Sequence, residues 1–476
     1  MTDLKSRWLA LYVLCLGDLM IVLDSSIVNV ALPSIQSDLG FSSSALAWVV
    51  NAYLLTFGGF LLLSGRLGDL LGNKRVFLGG VVSFTAASVA CGLAPSAGLL
   101  VTGRAVQGLG GAAVSAVALS LIMGLFSDPA ERAKAMGFFG FVMSGGGAVG
   151  VLLGGVLTGL FSWHWIFLVN VPIGVGVWLG ARRVLPSDAL AGPRVRVDVL
   201  GAVLVTGALM LSVYGIVTST WILLAGSVVL LAAFVLWESR TAEPLVALRL
   251  FGLRNVVVSQ VVGVLWAAAM FAWFFLAALY LQQVLGYDAL EVGLAFVPTS
   301  VVMAYCSLRV SDRLVMRFGI RRPLMAGLAL AAASLGLFSR APVDGGFLTD
   351  VLPSMLLLGA GAGIAFNPVL LAAMGDVEPH ESGLASGVVN TSFMMGGALG
   401  LAVLVSLSTW RTESLGAGGA GDLAALNGGF QLAFAAGGLA ALAAAVIGGL
   451  FLRPQPMAAP EVPVPVTTEE PSPDPV

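Results

Sequence analysis

Fourteen stretches of about twenty mostly apolar residues follow one another along the chain, and they restrict its fold more than any other feature. They fall at about 8–33, 46–65, 76–94, 98–121, 135–158, 164–181, 199–217, 221–237, 256–283, 291–308, 323–338, 351–373, 383–409 and 430–452. About twenty residues of helix cross the hydrocarbon core of a bilayer. Lipid offers no partner to a backbone N–H or C=O, so each such stretch must be a helix that satisfies its own backbone. With 58% hydrophobic and only 10% charged residues among 476, against roughly 25% charged in a soluble domain, no soluble domain of useful size remains. The first stretch is too long for a cleavable signal and is expected to stay as a span.

An even number of spans puts both chain ends on one side, and the basic residues say which. With the ends cytoplasmic, twenty of the 23 basic residues fall in inner loops or ends, Arg194 and Arg196 among them. Arg340 and Arg411 fall outside, and Arg104 lies within a span. The expected location is therefore the cell membrane, multi-pass. The net charge of −2 gives no basic field for nucleic acid. Cys15, Cys91 and Cys306 lie in apolar segments, with no disulfide framework and no metal-ligand spacing. After Arg453 the chain turns Pro-rich and acidic, which predicts a disordered cytoplasmic tail over 454–476.

Two loops carry an internal repeat. "GRLGDLLGNKR" (Gly65 to Arg75) and "DRLVMRFGIRR" (Asp312 to Arg322) align without gaps, Leu67 with Leu314, Gly72 with Gly319, Lys74–Arg75 with Arg321–Arg322. The expected fold is all-α and integral to the membrane. An N-terminal six-helix bundle covers 1–182, a linker and inserted two-helix hairpin 183–254, and a second six-helix bundle 255–453. Gly65 and Gly72 permit a tight turn, and Asp69 can cap a neighbouring helix or pair with a base such as Lys74, forming a latch between helices. Three residues between Gly68 and Gly72, and Asn73 before Lys74, exclude a nucleotide phosphate loop. The expected energy source is an ion gradient, with no cofactor and no nucleotide.

Asp18 and Asp24 are the acids placed within spans, each costing about 3 kcal/mol or more at mid-bilayer when charged. Arg104, if not snorkelling to the interface, is a buried cation that can tune a carboxylate. Counting 1.5 Å per residue, Asp24 and Arg104 differ in depth by about 5 Å and Asp18 lies about 9 Å further inward. Six residues of helix turn Asp18 and Asp24 about 120° apart, so they are not a paired dyad. Asp18 could meet substrate or proton, or be a hydrogen-bonded packing residue. Gly146, Gly150, Gly154 and Gly155 form a small-residue stripe suited to close helix packing. Asn51, Tyr53, Trp266, Trp273, Gln282, Gln283 and Asn367 could line a central cavity, or anchor and pack.

The loop pattern at Gly65–Lys74, with "LDSSIVNVALPSI" (Leu23–Ile35), "WHWIFLVNVPIG" (Trp163–Gly174), "LYLQQVLGYDALEVGLAFVP" (Leu279–Pro298) and "GLASGVVNTSFMMGGALG" (Gly383–Gly400), resembles the major facilitator superfamily. The match is to its fourteen-span drug:proton antiporter branch, of the actinobacterial multidrug- and antibiotic-efflux type, from Leu9 to about Phe451. Leu70 and Asn73 stand where that family usually has Arg, and Val151 replaces the Pro of its antiporter signature, here "GVLLGG" (Gly150–Gly155). The resemblance implies a non-enzymatic transporter that alternates between inward- and outward-open states. It implies Asp24 as proton carrier, Arg104 in the pattern R-x-x-Q-G-x-G as its coupling partner, Gln107 beside the cavity, and the glycine stripe as the device that sets exchange. The expected partners are protons, a small substrate and the bilayer, with the protein acting as a monomer. The reading is proton-coupled export of small, largely apolar compounds. The alternatives are a dedicated exporter of one endogenous product and, further off, a symporter.

Overall fold

The computed structural model describes residues 4–126, 128–186, 198–241, 244, 249, 252–374 and 382–453. The tail after Arg453, with Arg194, Arg196 and His380, lies outside the described residues. The helices in chain order are α1 (Leu4–Leu39), α2 (Ser43–Leu46), α3 (Trp48–Leu71), α4 (Asn73–Gly92), α5 (Ala97–Leu125), α6 (Pro129–Leu160), α7 (Trp165–Leu168), α8 (Asn170–Val184), α9 (Val199–Val217), α10 (Trp221–Glu238), α11 (Arg254–Leu279), α12 (Ala289–Tyr305), α13 (Asp312–Phe318), α14 (Arg321–Phe338), α15 (Leu352–Met374), α16 (Ser382–Ala417) and α17 (Asp422–Phe451). Short π-helical stretches at Tyr280–Val284, Cys306–Ser311 and Phe347–Val351 extend or join them.

Twelve helices among the described residues are long and apolar enough to cross a membrane, so the chain is a multi-pass membrane protein. Two of the fourteen expected spans are not among the twelve. The described apolar run of α6 covers only Val149–Leu160, and α14 opens on Arg321 and Arg322. Large apolar side chains cover the outward faces, and on α10 Trp221 is 83% exposed and Ile222 78%. A water-soluble surface would not tolerate such a belt, and lipid requires it.

Helices α1, α3–α6 and α8 pack on one another, as do α11, α12 and α14–α17. The two groups meet where α3 packs on α16 and α6 on α12. Helices α9 and α10 pack on each other, and α9 leans on α3 and α16. Asp198 closes the base of the α9–α10 pair, accepting from the Gly201 amide and the Trp237 indole at 2.8 Å each. A Cβ on Gly59 would lie 1.9 Å from Thr206 Oγ1, so α3 admits α9 only through a glycine.

The repeat is visible in the backbone. Gly72 (φ 98°) and Gly319 (φ 74°) each end a helix in the left-handed region, which glycine enters without steric cost. The sequence expectation is corrected at Gly65, which lies inside α3, six residues before the helix ends at Leu71. The apolar pattern stops near Gly65, but helical hydrogen bonding continues until a residue can leave the αR region, and that residue is Gly72. Lys74 Nζ then reaches the carbonyls of Arg182 and Leu185 at the end of α8, satisfying helix-terminal acceptors with a cation.

Candidate functional site

Asp24 sits in the middle of α1, far from either helix end, with no solvent exposure. Arg104 on α5 is equally buried and its Nη1 pairs with Asp24 Oδ2. The other carboxylate oxygen, Oδ1, accepts from Gln107 Nε2 at 2.7 Å and Asn170 Nδ2 at 2.9 Å. Gln107 also donates to Ser88 Oγ at 2.8 Å and accepts from Arg104 Nη1 at 2.7 Å. Four helices thus converge on one carboxylate, α1 supplying the acid, α5 the cation and amide, α8 Asn170 and α4 Ser88. Desolvating an ion costs several kcal/mol, and only a pair whose remaining lone pairs are filled recovers it. Here both oxygens of Asp24 are filled.

Arg104 has anchors besides the carboxylate. Its Nε donates to the Val49 carbonyl at 2.9 Å, and its guanidinium lies 4.3 Å from the Tyr53 ring centre and 5.7 Å from that of Phe167. It therefore stays in place whether or not Asp24 bears charge. The depths estimated from helical rise, about 5 Å apart, allow Asp24 and Arg104 to meet if their helices face each other, and the structure brings the two side chains together.

Asp18 is also buried, and it faces a different neighbour. Ser115 Oγ donates to its Oδ1 at 2.6 Å, and Oδ2 has no hydrogen-bond partner among the described residues. The two acids occupy separate settings, as their helical phase predicts.

The glycine stripe of α6 works as a contact surface. A Cβ on Gly150 would lie 2.0 Å from Ser26 Oγ, and one on Gly154 would lie 2.6 Å from the Ile27 carbonyl oxygen. One on Gly146 would press on Leu19 and Val22 at 2.9 Å. These three glycines seat α6 on α1. Gly155 faces the other way, its Cβ position 2.6 Å from the Ala289 carbonyl and 3.0 Å from Gly293 Cα, at the meeting of α6 with α12.

At the ends of α1 and α11 remote from the α3–α4 turn, the two helix groups are tied by side chains. Gln282 Nε2 donates to the Val30 carbonyl and Gln283 Nε2 to Gln36 Oε1, each at 2.9 Å. Both glutamines lie on the π-helical stretch Tyr280–Val284, a geometry often found at functional positions. Beside this tie is a cavity of about 170 Å³, lined by Gln36, Gln283, Ser408, Thr412, Glu413 and Phe430 among others.

Of the residues expected to line a central cavity, Gln283 lines this one, and Asn51, Tyr53, Gln107, Trp266, Trp273 and Asn367 do not. Gln107 is held in the Asp24 network. Trp273 packs edge-on against Phe274, Phe296 and Phe338, a core role. Trp266 is equally buried, and Asn367 bonds the Ser307 carbonyl at 3.2 Å. Asn51 and Tyr53 are buried with side-chain polar atoms unpartnered among the described residues, and only Tyr53 touches the Arg104 site. Asp69 is exposed, and no ion pair between described residues includes it. The reading of the sequence did not assign Asn170, Ser88 or Ser115 a role. The available signal was a lone polar residue inside an apolar stretch.

A family model described as Major Facilitator Superfamily matches residues 14–401. The chain is 40% identical over 418 residues to the puromycin resistance protein pur8 of Streptomyces alboniger, covering 86% of this chain and 83% of that one. It is 40% identical over 416 residues to the cephamycin export protein CmcT of Amycolatopsis lactamdurans, covering 84% of each. It is 34% identical over 423 residues to the multidrug resistance protein Stp of Mycobacterium tuberculosis, covering 86% and 78%. Among solved structures, the nucleoside transporter NupG superposes with a TM-score of 0.68 at 13% identity, over 92% of this chain and 99% of that one. A POT family peptide transporter gives 0.68 at 16%, over 97% and 99%. At these identities the structures speak for the fold alone.

Proposed function

The chain belongs to the major facilitator superfamily, and from that premise we propose that it exports small, largely apolar organic compounds in exchange for protons. The observation that carries the proposal is the buried Asp24–Arg104 pair, closed by Gln107 and Asn170. A membrane protein retains a buried ion pair at such cost chiefly where charge must be gained and lost during a cycle. Protonation of Asp24 removes the charge that Arg104 answers, while Val49, Gln107 and Tyr53 keep the guanidinium fixed. The carboxyl is then free to separate as the helices move, and gives up its proton when the site faces the other side.

In this reading the chain spans the cell membrane fourteen times, α6 and α14 completing the count, with both ends cytoplasmic. Two six-helix bundles, over 1–182 and 255–453, rock about a central path, and the α9–α10 hairpin within 183–254 is inserted between them. The Gln282–Gln283 tie closes the outer side in the conformation described. The turn at Gly72, with Asp69 and Lys74, latches the cytoplasmic side in the opposite state. The protein acts as a monomer, without a cofactor, as a transporter and not an enzyme. Few charges lie within the spans, so the substrate is neutral or weakly basic.

A second reading, a dedicated exporter of one endogenous product, draws support from relatives named for a single compound, puromycin and cephamycin. Everted vesicles with an imposed pH gradient separate the readings when the weakly basic dye Hoechst 33342 and puromycin are offered in turn. Exchange at Asp24 predicts gradient-driven efflux by the wild type and none by Asp24→Asn. Efflux that persists in Asp24→Asn overturns the assignment.

A further inference from the structure

Asp18 is a second acid within α1 that the exchange at Asp24 does not use. It is 1% exposed. Against the cation and two amides around Asp24, it receives one neutral hydrogen bond, from Ser115 at 2.6 Å, and Oδ2 has no partner among the described residues. A buried carboxylate in that setting is uncompensated, and a charge without a partner is among the costliest features an interior can hold. The neighbouring titratable groups supply no positive charge. Cys15, three residues before it on α1, and Tyr53 on α3 are both within electrostatic range. Among the described residues, the elements that pack on α1 at this level bring apolar groups such as Phe77 and Val177 beside Gly17.

We propose that Asp18, with Ser115, is a second proton site, separate from Asp24–Arg104, and that it holds a proton in the conformation described. A proton on Oδ2 turns the carboxylate into a neutral acid and leaves Oδ1 free to accept from Ser115. The proton comes from water on one side of the membrane and returns to water on the other. Tyr53 lies within electrostatic range of both acids, with its ring under Arg104 and its hydroxyl buried without a hydrogen-bond partner among the described residues. This inference rests on the reading of the protein as a proton-coupled exporter and adds to it a second titrating group on the inward side of the first.

Infrared spectroscopy of the purified full chain tests the site without a substrate, through the deuterium-sensitive carbonyl stretch of protonated carboxylic acids near neutral pH. The expected result is loss of one acid's band in Asp18→Asn, retention in Asp24→Asn, and a shift to higher frequency in Ser115→Ala as Oδ1 loses its donor. An unchanged band in Asp18→Asn overturns the proposal. If that variant does not fold, an unshifted band in Ser115→Ala overturns it equally. Vesicle efflux measured alongside separates the two readings. A band that disappears with Asp18 while no pH gradient drives efflux supports the site and overturns exchange. Driven efflux with no band assigned to Asp18 does the reverse.

Discussion

Asn170, in the first turn of α8, donates to the same oxygen of Asp24 that Gln107 occupies, at 2.9 Å and across 146 residues of chain. The amide makes α8 part of the Asp24 site and holds the carboxylate on the side away from Arg104. Asn170→Ala leaves Oδ1 with one donor, at a cost of about 1–3 kcal/mol for the unfilled acceptor. Thermal unfolding in detergent should show that loss, and gradient-driven efflux should fall with it. Asn170→Asp, placing a second carboxylate at the pair, should be more damaging than Asn170→Ala.

Arg104→Ala strands the Asp24 charge, and breaking one side of a buried pair costs about 3–5 kcal/mol. Arg104→Lys should not rescue it, because one ammonium cannot reach Val49, Gln107 and Asp24 in the fork geometry that the guanidinium spans. Removing both charges, with Asp24→Asn and Arg104→Gln together, should restore most of the stability and none of the transport. A double-mutant cycle on unfolding temperature measures the coupling.

Gly155 stands at the meeting of α6 with α12. In Gly155→Ala the new methyl would lie 2.6 Å from the Ala289 carbonyl oxygen, which cannot yield as a side chain would. Overpacking of this kind costs about 1–3 kcal/mol. If the helix groups move against each other here, transport should fall further than unfolding temperature. The contrast is Gly147→Ala, at a position with open space around it, which should leave both unchanged.

The Gln282–Val30 and Gln283–Gln36 bonds join the two helix groups at one end. Each is worth about 0.5–1.5 kcal/mol. Replacing both glutamines with Ala should shift the conformational equilibrium toward opening at that end by about 5- to 150-fold. A Leu46→Cys reporter in the adjoining cavity reads the shift as faster labelling by a water-soluble thiol reagent. The native Cys15, Cys91 and Cys306 are buried and give a low background.

Local chemistry carries what the sequence by itself determined. Apolar length imposes helices, because lipid leaves the backbone no other partner, and the hairpin helix α9 matches its apolar stretch at 199–217 residue for residue. The match of Gly72 with Gly319 marks the repeat, because only glycine enters the left-handed region freely at a helix end. Helical rise and phase, which depend on one helix at a time, separated Asp18 from Asp24 and put Asp24 within about 5 Å of Arg104 in depth.

Only the tertiary structure decided the rest. Asn170 reaches Asp24, and Ser88 reaches Gln107, because α8 and α4 pack where they do, and no periodicity within either helix encodes that. Trp273 is a core residue because Phe274, Phe296 and Phe338 surround it, although its place in a span suited a cavity equally well. The apolar pattern stops near Gly65, yet α3 continues to Leu71, because hydrogen bonding along a helix outlasts its contact with lipid. Which polar groups are paired and which are left over depends on neighbours distant in sequence. Asp24 is surrounded by donors and Asp18 is not, though six residues of one helix separate them.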